Sequence, residues 1–231
     1  MIAEILYNKA VNNIRLCVFD MDGLMLDSET VYFHNVMECN EKYGYGVPAD
    51  LVLRSLGANE IETRASYLKA MGPDFPYDEF SSRTWQIQLE CMKSHPIQKK
   101  KGIIELLDYL TENNIRKVVA TSSSQYYAKD FLKDAGLYDY FDHVVYGDDL
   151  TESKPAPQIY LKAIEPFGFD KENILAFEDS SNGILSAYNA GLKVVHIPDI
   201  AIVEESTKEK CFAILHDLNE AIGLIEKMNS N

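Results

Sequence analysis

Two acidic pairs, a hydroxyl run and one lysine are the residues whose types and spacing could do chemistry in this chain. Asp20 and Asp22 close the apolar run Ile14-Arg15-Leu16-Cys17-Val18-Phe19 at i, i+2 spacing. In a continuing strand that spacing would set both carboxylates on one face, about 6–7 Å apart. Two uncompensated carboxylates at one site repel, so a metal cation or a shared proton is expected there. Glu178-Asp179 ends a second apolar run, Ile174-Leu175-Ala176-Phe177, and Thr121-Ser122 follow a third, Lys117-Val118-Val119-Ala120. Lys154, in Ser153-Lys154-Pro155-Ala156-Pro157, offers an ammonium ahead of a helical pattern. Metal ligands, a carboxylate nucleophile, hydroxyl and N–H donors and one fixed positive charge form a set suited to phosphoryl transfer. Mg²⁺ takes few carboxylates plus substrate oxygens. Lysine and the donors neutralise charge spreading over the transferring group. One aspartate can attack phosphorus, and a second can protonate the leaving oxygen and then deprotonate water.

These residues need elements to hold them. Short apolar runs that stop at polar clusters suit strands buried on both faces of a parallel sheet. Such runs recur at Val144-Val145-Tyr146 and Val194-Val195-His196-Ile197, with a sixth at Cys211 to Leu215. Helical spacing falls between them: Ile103, Leu107 and Leu110; Tyr127, Phe131 and Leu132; Ile159, Ala163 and Ile164; Ile184, Ala187 and Tyr188. The alternation predicts an α/β fold, a doubly wound, Rossmann-like parallel sheet. Ligands in such sheets bind at the carboxyl ends of the strands, where every polar cluster above lies.

The first connection breaks the rhythm. Between Asp22 and Thr121 lie 98 residues, whereas a parallel crossover needs about a dozen. The Gly102–Asn113 helix can serve as that crossover. The rest carries apolar stripes at helical spacing: Tyr32, Val36, Cys39 and Tyr43; Ile61, Ala65 and Leu68; Phe80, Ile87 and Cys91. This predicts an all-helical cap domain, residues 28–94, inserted into a core domain of residues 1–27 plus 95–231.

With 36 acidic against 22 basic residues, the formal net charge is −14. That disfavours nucleic acid, whose binding draws on lysine and arginine clusters. The single basic run, Lys99-Lys100-Lys101, reads as a solvated approach to a helix. No apolar stretch reaches membrane-spanning length. The four cysteines share no ligand spacing, which fits a reduced, cytoplasmic protein. The leader Met1–Asn13 has no signal-like pattern and reads as a helix, frayed or docked. A monomer is the default expectation.

Four ordered motifs resemble the signatures of the haloacid dehalogenase-like hydrolases: FDMDG at 19–23, VVATSSS at 118–124, SKPAP at 153–157 and FEDSSNG at 177–183. The helical insertion lies where that family has its alpha-helical cap, and the pattern is most similar to the β-phosphoglucomutase and phosphoglycolate phosphatase group. The resemblance implies that Asp20 is the nucleophile and Asp22 the general acid/base. It implies Mg²⁺ ligated by Asp20 and Asp179, by the Asp22 carbonyl, and by Glu178 directly or through water. It further implies that Thr121 and Ser122 bind phosphoryl oxygens and that Lys154 bridges Asp20 and the phosphate. Asn59, Glu60 and Arg64 are the candidate cap contacts with the leaving group.

The expected activity is Mg²⁺-dependent hydrolysis of a small phosphorylated metabolite through an aspartyl-phosphate. The alternatives are a phosphomutase using the same intermediate and a catalytically idle binding protein. β-Phosphoglucomutases have a histidine twelve residues after the nucleophile, where this chain has Tyr32 with His34 nearby. They also carry a Gly-x-Ser-Arg-like loop where this chain reads Gly57-Ala58-Asn59-Glu60. Both departures favour hydrolysis. The histidines read as structural, Asp148-Asp149 as loop residues, and Trp85 with the tyrosines of the insertion as helix core.

Overall fold

The computed structural model describes residues 13–94 and 96–230. The expectation for the leader therefore lies outside the described residues, save Asn13, whose carbonyl accepts from Asn173 Nδ2 at 2.8 Å.

Six parallel strands form one sheet: β1 (Leu16–Phe19), β2 (Arg116–Ala120), β3 (His143–Val145), β4 (Ile174–Glu178), β5 (Lys193–His196) and β6 (Ala213–Ile214). Their spatial order is β3-β2-β1-β4-β5-β6. From β1 the chain first builds outward to β2 and β3, then returns to the other side of β1 with β4. Order reversal of this kind opens a crevice at the carboxyl ends of β1 and its neighbours. Register sets the level of that crevice: Phe19 pairs with Val119 on one side and Phe177 on the other. Asp20, Ala120 and Glu178 thus follow at the same height. The sixth strand is shorter than its apolar pattern, two residues rather than five, because only Val195 and His196 of β5 pair with it.

Side chains alternate across each strand, and the sheet sorts them into two cores. Cys17, Phe19, Val119, Leu175 and Phe177 face α5 (Ile103–Glu112), α6 (Gln125–Asp134) and α10 (Glu220–Asn229). Leu16, Val18, Val118, Ala120 and Ala176 face α7 (Gln158–Ile164) and α8 (Ser181–Asn189). A short α9 (Glu205–Lys208) lies between β5 and β6.

Between β1 and α5 the chain forms four helices: α1 (Ser28–Tyr43), α2 (Ala49–Ser55), α3 (Glu60–Met71) and α4 (Tyr77–Ser94). They share a core of their own built on Val36, Cys39, Val52, Tyr67, Tyr77, Phe80 and Ile87. The α3 stripe is corrected here. Ile61 is 81% exposed, and the side chain α3 buries is Tyr67, whose ring packs among Phe75, Tyr77 and Phe80. Aromatic area outweighs the nominal aliphatic spacing in this small core. The basic run leads into α5 as expected, with Lys99 and Lys101 exposed. Lys100 pairs with Asp27 and Asp199, Lys101 pairs with Asp217, and Lys99 donates to the Ala135 carbonyl, so these ammonium groups tie loops together. No helix among the described residues is long and apolar enough to cross a membrane.

Candidate active site

The β1 strand stops at Phe19, and the chain then turns tightly. Asp20 N–H still donates to Phe177 O at 3.1 Å, after which Met25 and Leu26 N–H both return to Met21 O and Gly23 N–H donates to Leu26 O. Met21, Leu24, Met25 and Leu26 are fully buried and anchor this turn in the core. Gly23 has φ +77°, and a Cβ there would strike the Asp179 carboxylate. Only glycine gives both the left-handed backbone and that close approach. Asp20 and Asp22 thus project from a turn rather than from an extended strand.

Lys154 is the hub of the buried charges. Its ammonium donates to Asp20 Oδ1 at 2.5 Å and to Glu178 Oε1 at 2.6 Å. Tyr160, fully buried on α7, donates its hydroxyl to the same Glu178 oxygen. Glu178 Oε2 is buried without a hydrogen-bond partner. Asp20, Glu178 and Asp179 each offer a carboxylate oxygen, all within 4.8 Å of one another. Gly183, in the first turn of α8, lets that helix end close on Glu178, since a Cβ would overlap its carboxylate.

Burial raises the Asp20 carboxyl to about 8; Lys154 opposes that shift, and the charges of Glu178 and Asp22 add to it. Asp179 is driven well above the carboxylate range by burial first, then by Asp20 and Glu178. Burial alone would lower Lys154, but Asp20 and Glu178 hold its ammonium above the usual value. Glu29 is pushed up to about 8 by burial and by Asp22, Asp20 and Asp199, against the N–H of Gly57. The whole pocket is short of positive charge.

Asp22 is oriented by hydroxyls. Ser28 Oγ donates to its Oδ1 and Ser123 Oγ to its Oδ2, each at 2.7 Å. Thr121 is fully buried. Its Oγ1 accepts from Ser123 N–H at 3.0 Å and lies 3.5 Å from Asp22 Oδ2, so it braces the loop rather than facing the cleft. Ser122 does line the cleft, with Ser123 and Ser124.

The cleft encloses about 610 Å³ between the strand ends and the four helices. Asn59 and Glu60 line it. Asn59 also caps α3 through Glu62 N–H and donates to Ser153 Oγ at 2.9 Å. Arg64 does not reach the cleft. It forms an exposed ion pair with Asp78 beside the Tyr77 ring, because α3 turns position 64 away from the strand ends. Trp85 departs from its expected place in a helix core. It is 38% exposed, lines the cleft and meets Tyr127 of α6 edge-on at 4.9 Å. Tyr32 lines the cleft as well. Gly57 (φ +72°) rests on Ser180, where a Cβ would come within 2.5 Å of the serine Cβ. Asn182 Nδ2 donates to Glu62 Oε2 at 2.8 Å.

Asp148 and Asp149 do more than decorate a loop. Asp148 accepts from Gln125 N–H at the start of α6, and Asp149 from Tyr146 N–H. His196 sits buried with Nδ1 3.1 Å from Glu178 O. Sequence reasoning missed Ser28, Ser123, Tyr160 and Glu29. Ser123 lies inside the VVATSSS motif, Tyr160 follows Lys154 by six residues, and nothing in their spacing marks them as neighbours of Asp22 and Glu178.

A family model for haloacid dehalogenase-like hydrolases matches residues 17–197. The chain belongs to this family. Within it, the chain is 29% identical over 209 residues to the phosphorylated carbohydrates phosphatase of Thermotoga maritima, covering 90% of this chain and 89% of that one. It is 31% identical over 196 residues to (DL)-glycerol-3-phosphatase 2 of Arabidopsis thaliana, covering 79% and 78%. The β-phosphoglucomutase of Clostridium difficile shares the fold, with a TM-score of 0.75 at 19% identity over 94% of this chain and 97% of that one.

Proposed function

We propose that this hydrolase is a Mg²⁺-dependent phosphatase of a small phosphorylated metabolite, with the phosphoryl group carried transiently on Asp20. The observation that carries the reading is the Lys154 bridge between Asp20 and Glu178, which with Asp179 make three buried carboxylates whose oxygens converge. A cation fits that donor set. Lys154 alone does not balance Asp20, Glu178 and Asp179, and the partnerless Glu178 Oε2 is an acceptor awaiting a positive charge. Asp20, Asp179 and Glu178, with the Asp22 carbonyl, would hold Mg²⁺, which would neutralise the phosphoryl oxygens.

The remaining steps belong to the chain itself. An Asp20 carboxylate oxygen attacks phosphorus as the bond to the leaving oxygen breaks, and Asp22 gives that oxygen its proton. Water then attacks the phosphoryl group, Asp22 takes up its proton, and the bond to Asp20 breaks to release inorganic phosphate. Ser28 and Ser123 hold Asp22 in line for both transfers. Lys154 fixes Asp20 and, with the donors of Ser122, meets the charge of the transferred group. Residues 28–94 act as a cap over the α/β core domain, excluding water and reading the leaving group.

Tyr32 in the cleft, where a mutase pattern has histidine, favours water over a second sugar hydroxyl as acceptor. Phosphate release from a panel of phosphomonoesters, with and without Mg²⁺, tests the reading. Release that needs Mg²⁺ and vanishes in Asp20→Asn is expected. Conversion of β-glucose 1-phosphate mainly to glucose 6-phosphate would instead establish the mutase.

A further inference from the structure

Two linkers join the helical insertion to the sheet, and they run side by side. Asp27 N–H donates to Gln98 O at 2.9 Å and Lys100 N–H to Met25 O at 2.8 Å, with Leu26 and Lys99 in antiparallel register. The first linker ends at Asp27, whose carboxylate accepts from Thr30 Oγ1 at 2.7 Å in the opening turn of α1. The second ends at Lys100, just ahead of α5. Motion of an inserted unit is absorbed at such element-terminal residues. Whatever pins Asp27 and Lys100 to the core therefore sets where the helices pivot.

The Lys100 side chain is that pin. Its ammonium donates to Asp27 Oδ1 at 3.2 Å and to Asp199 Oδ1. It ties the entry linker to its own exit linker, and both to the core loop between β5 and α9. The Asp199 side chain is 8% exposed and its Oδ2 is buried without a partner, so this carboxylate depends on Lys100 for its compensating charge.

The same core loop meets the helices directly. Ile202 N–H donates to Leu53 O of α2 at 3.2 Å, and Glu204 pairs with Arg54 of α2 at 2.6 Å. The Arg54–Glu204 pair is open to solvent on both sides and contributes little. Asp199 lies three residues before Ile202, so the clasp also fixes the stretch of loop that α2 rests on.

We infer that Lys100 is a positioning residue for hydrolysis: clasped to Asp27 and Asp199, it holds the helical cap closed over the strand ends. Its kinetic consequence rests on the phosphatase reading above and deepens it. Losing the clasp lowers the fraction of molecules whose cap is closed before substrate arrives. Apparent affinity falls by that fraction, while saturating substrate draws the cap shut and preserves kcat. A loss of folding stability alone would not separate KM from kcat.

Lys100→Met, Asp199→Asn and their double variant are compared with the native chain in Mg²⁺-dependent phosphate release from p-nitrophenyl phosphate, well below their melting temperatures. KM should rise about tenfold in Lys100→Met, with kcat within about twofold. The double variant should raise KM by less than the product of the single effects, because the two residues form one pair. Lys100→Arg, whose guanidinium can serve two carboxylates, should stay near the native KM.

Trp85, the only tryptophan, reads the cap without any turnover. It sits on α4 edge-on to Tyr127 of α6 at 4.9 Å, so an open cap should leave its fluorescence more accessible to acrylamide. Stronger quenching in Lys100→Met and native quenching in Lys100→Arg are expected. Asp27→Asn keeps an acceptor for Thr30 and stands in should Lys100→Met fail to fold, with the same changes in smaller measure. Unchanged KM and quenching, a fall in kcat with KM unmoved, or fully multiplicative effects in the double variant would overturn the role of Lys100. Absence of release from every ester by the native chain would overturn the phosphatase reading, and Trp85 quenching would then decide the clasp by itself.

Discussion

Ser123 Oγ donates to Asp22 Oδ2 at 2.7 Å, across 101 positions of sequence. The loop after β2 thereby sets the direction of a carboxylate that belongs to the turn after β1. Ser28 holds the other oxygen, so Asp22 has little freedom to rotate. Removing either hydroxyl in Ser28→Ala or Ser123→Ala should lower kcat about 10- to 100-fold, the scale of a small misplacement of a reacting group. The double variant should lose less than the product of the two, because both act through Asp22. Steady-state kinetics on the four proteins checks this, and full multiplicativity would separate the serines.

Lys154→Met leaves Asp20 and Glu178 buried without their shared ammonium. Breaking a buried ion pair from one side costs about 3–5 kcal/mol, so the variant should melt markedly lower and lose turnover. Mg²⁺ should recover part of the melting temperature, because a cation can replace some of the missing charge. A melting point indifferent to both changes would remove Lys154 from the role of charge hub.

Tyr160 acts at one remove from any substrate. Tyr160→Phe keeps the ring packed against α7 and its neighbours but deletes the donor to Glu178 Oε1. The expected loss is about 1–3 kcal/mol of stability by denaturant midpoint. The Mg²⁺ concentration for half-maximal activity should rise about 10- to 100-fold, since a ligand's own partner is lost. Unchanged metal dependence would leave Tyr160 a packing residue only.

Gly183→Ala inverts an ordinary rule. Replacing a helical glycine by alanine usually stabilises by about 0.5–1 kcal/mol. Here the added methyl would meet the Glu178 carboxylate, and overpacking of that kind costs about 1–3 kcal/mol. Urea unfolding should show a lower midpoint together with reduced activity.

Arg64→Ala should leave kcat and KM unchanged for every ester turned over. Its guanidinium pairs with exposed Asp78 outside the cleft, and exposed pairs of this kind contribute little. A raised KM for one ester would place Arg64 at the substrate after all.

The order of motifs along the chain determined more than any single residue. Three apolar runs, stopping at Asp20, Thr121 and Glu178, required strand ends to meet, with Lys154 in a loop ahead of a helix, and the sheet order β3-β2-β1-β4-β5-β6 brings the strand ends together. Asp20, Glu178 and Asp179 were legible for that reason: short continuous apolar runs mark strands buried on both faces, and ligand sites sit where such strands end. The helical insertion was legible from its length, and the −14 charge disfavoured a nucleic-acid role before any contact was known.

Tertiary structure decided what depends on through-space approach. Nothing in the spacing of Ser28, Ser123 or Tyr160 says which carboxylate each will meet, because those contacts span 6, 101 and 18 positions and are made by separate elements. Helical periodicity placed Trp85 and Arg64 on faces of helices but could not say which face would look into the cleft. That depended on how four short helices settle around Tyr67 and Phe80 and then dock on Ser153, Ser180 and Asn182. Local pattern is set by neighbours three or four residues away, whereas the lining of the cleft is set by which side chains the docking of the helices leaves facing it.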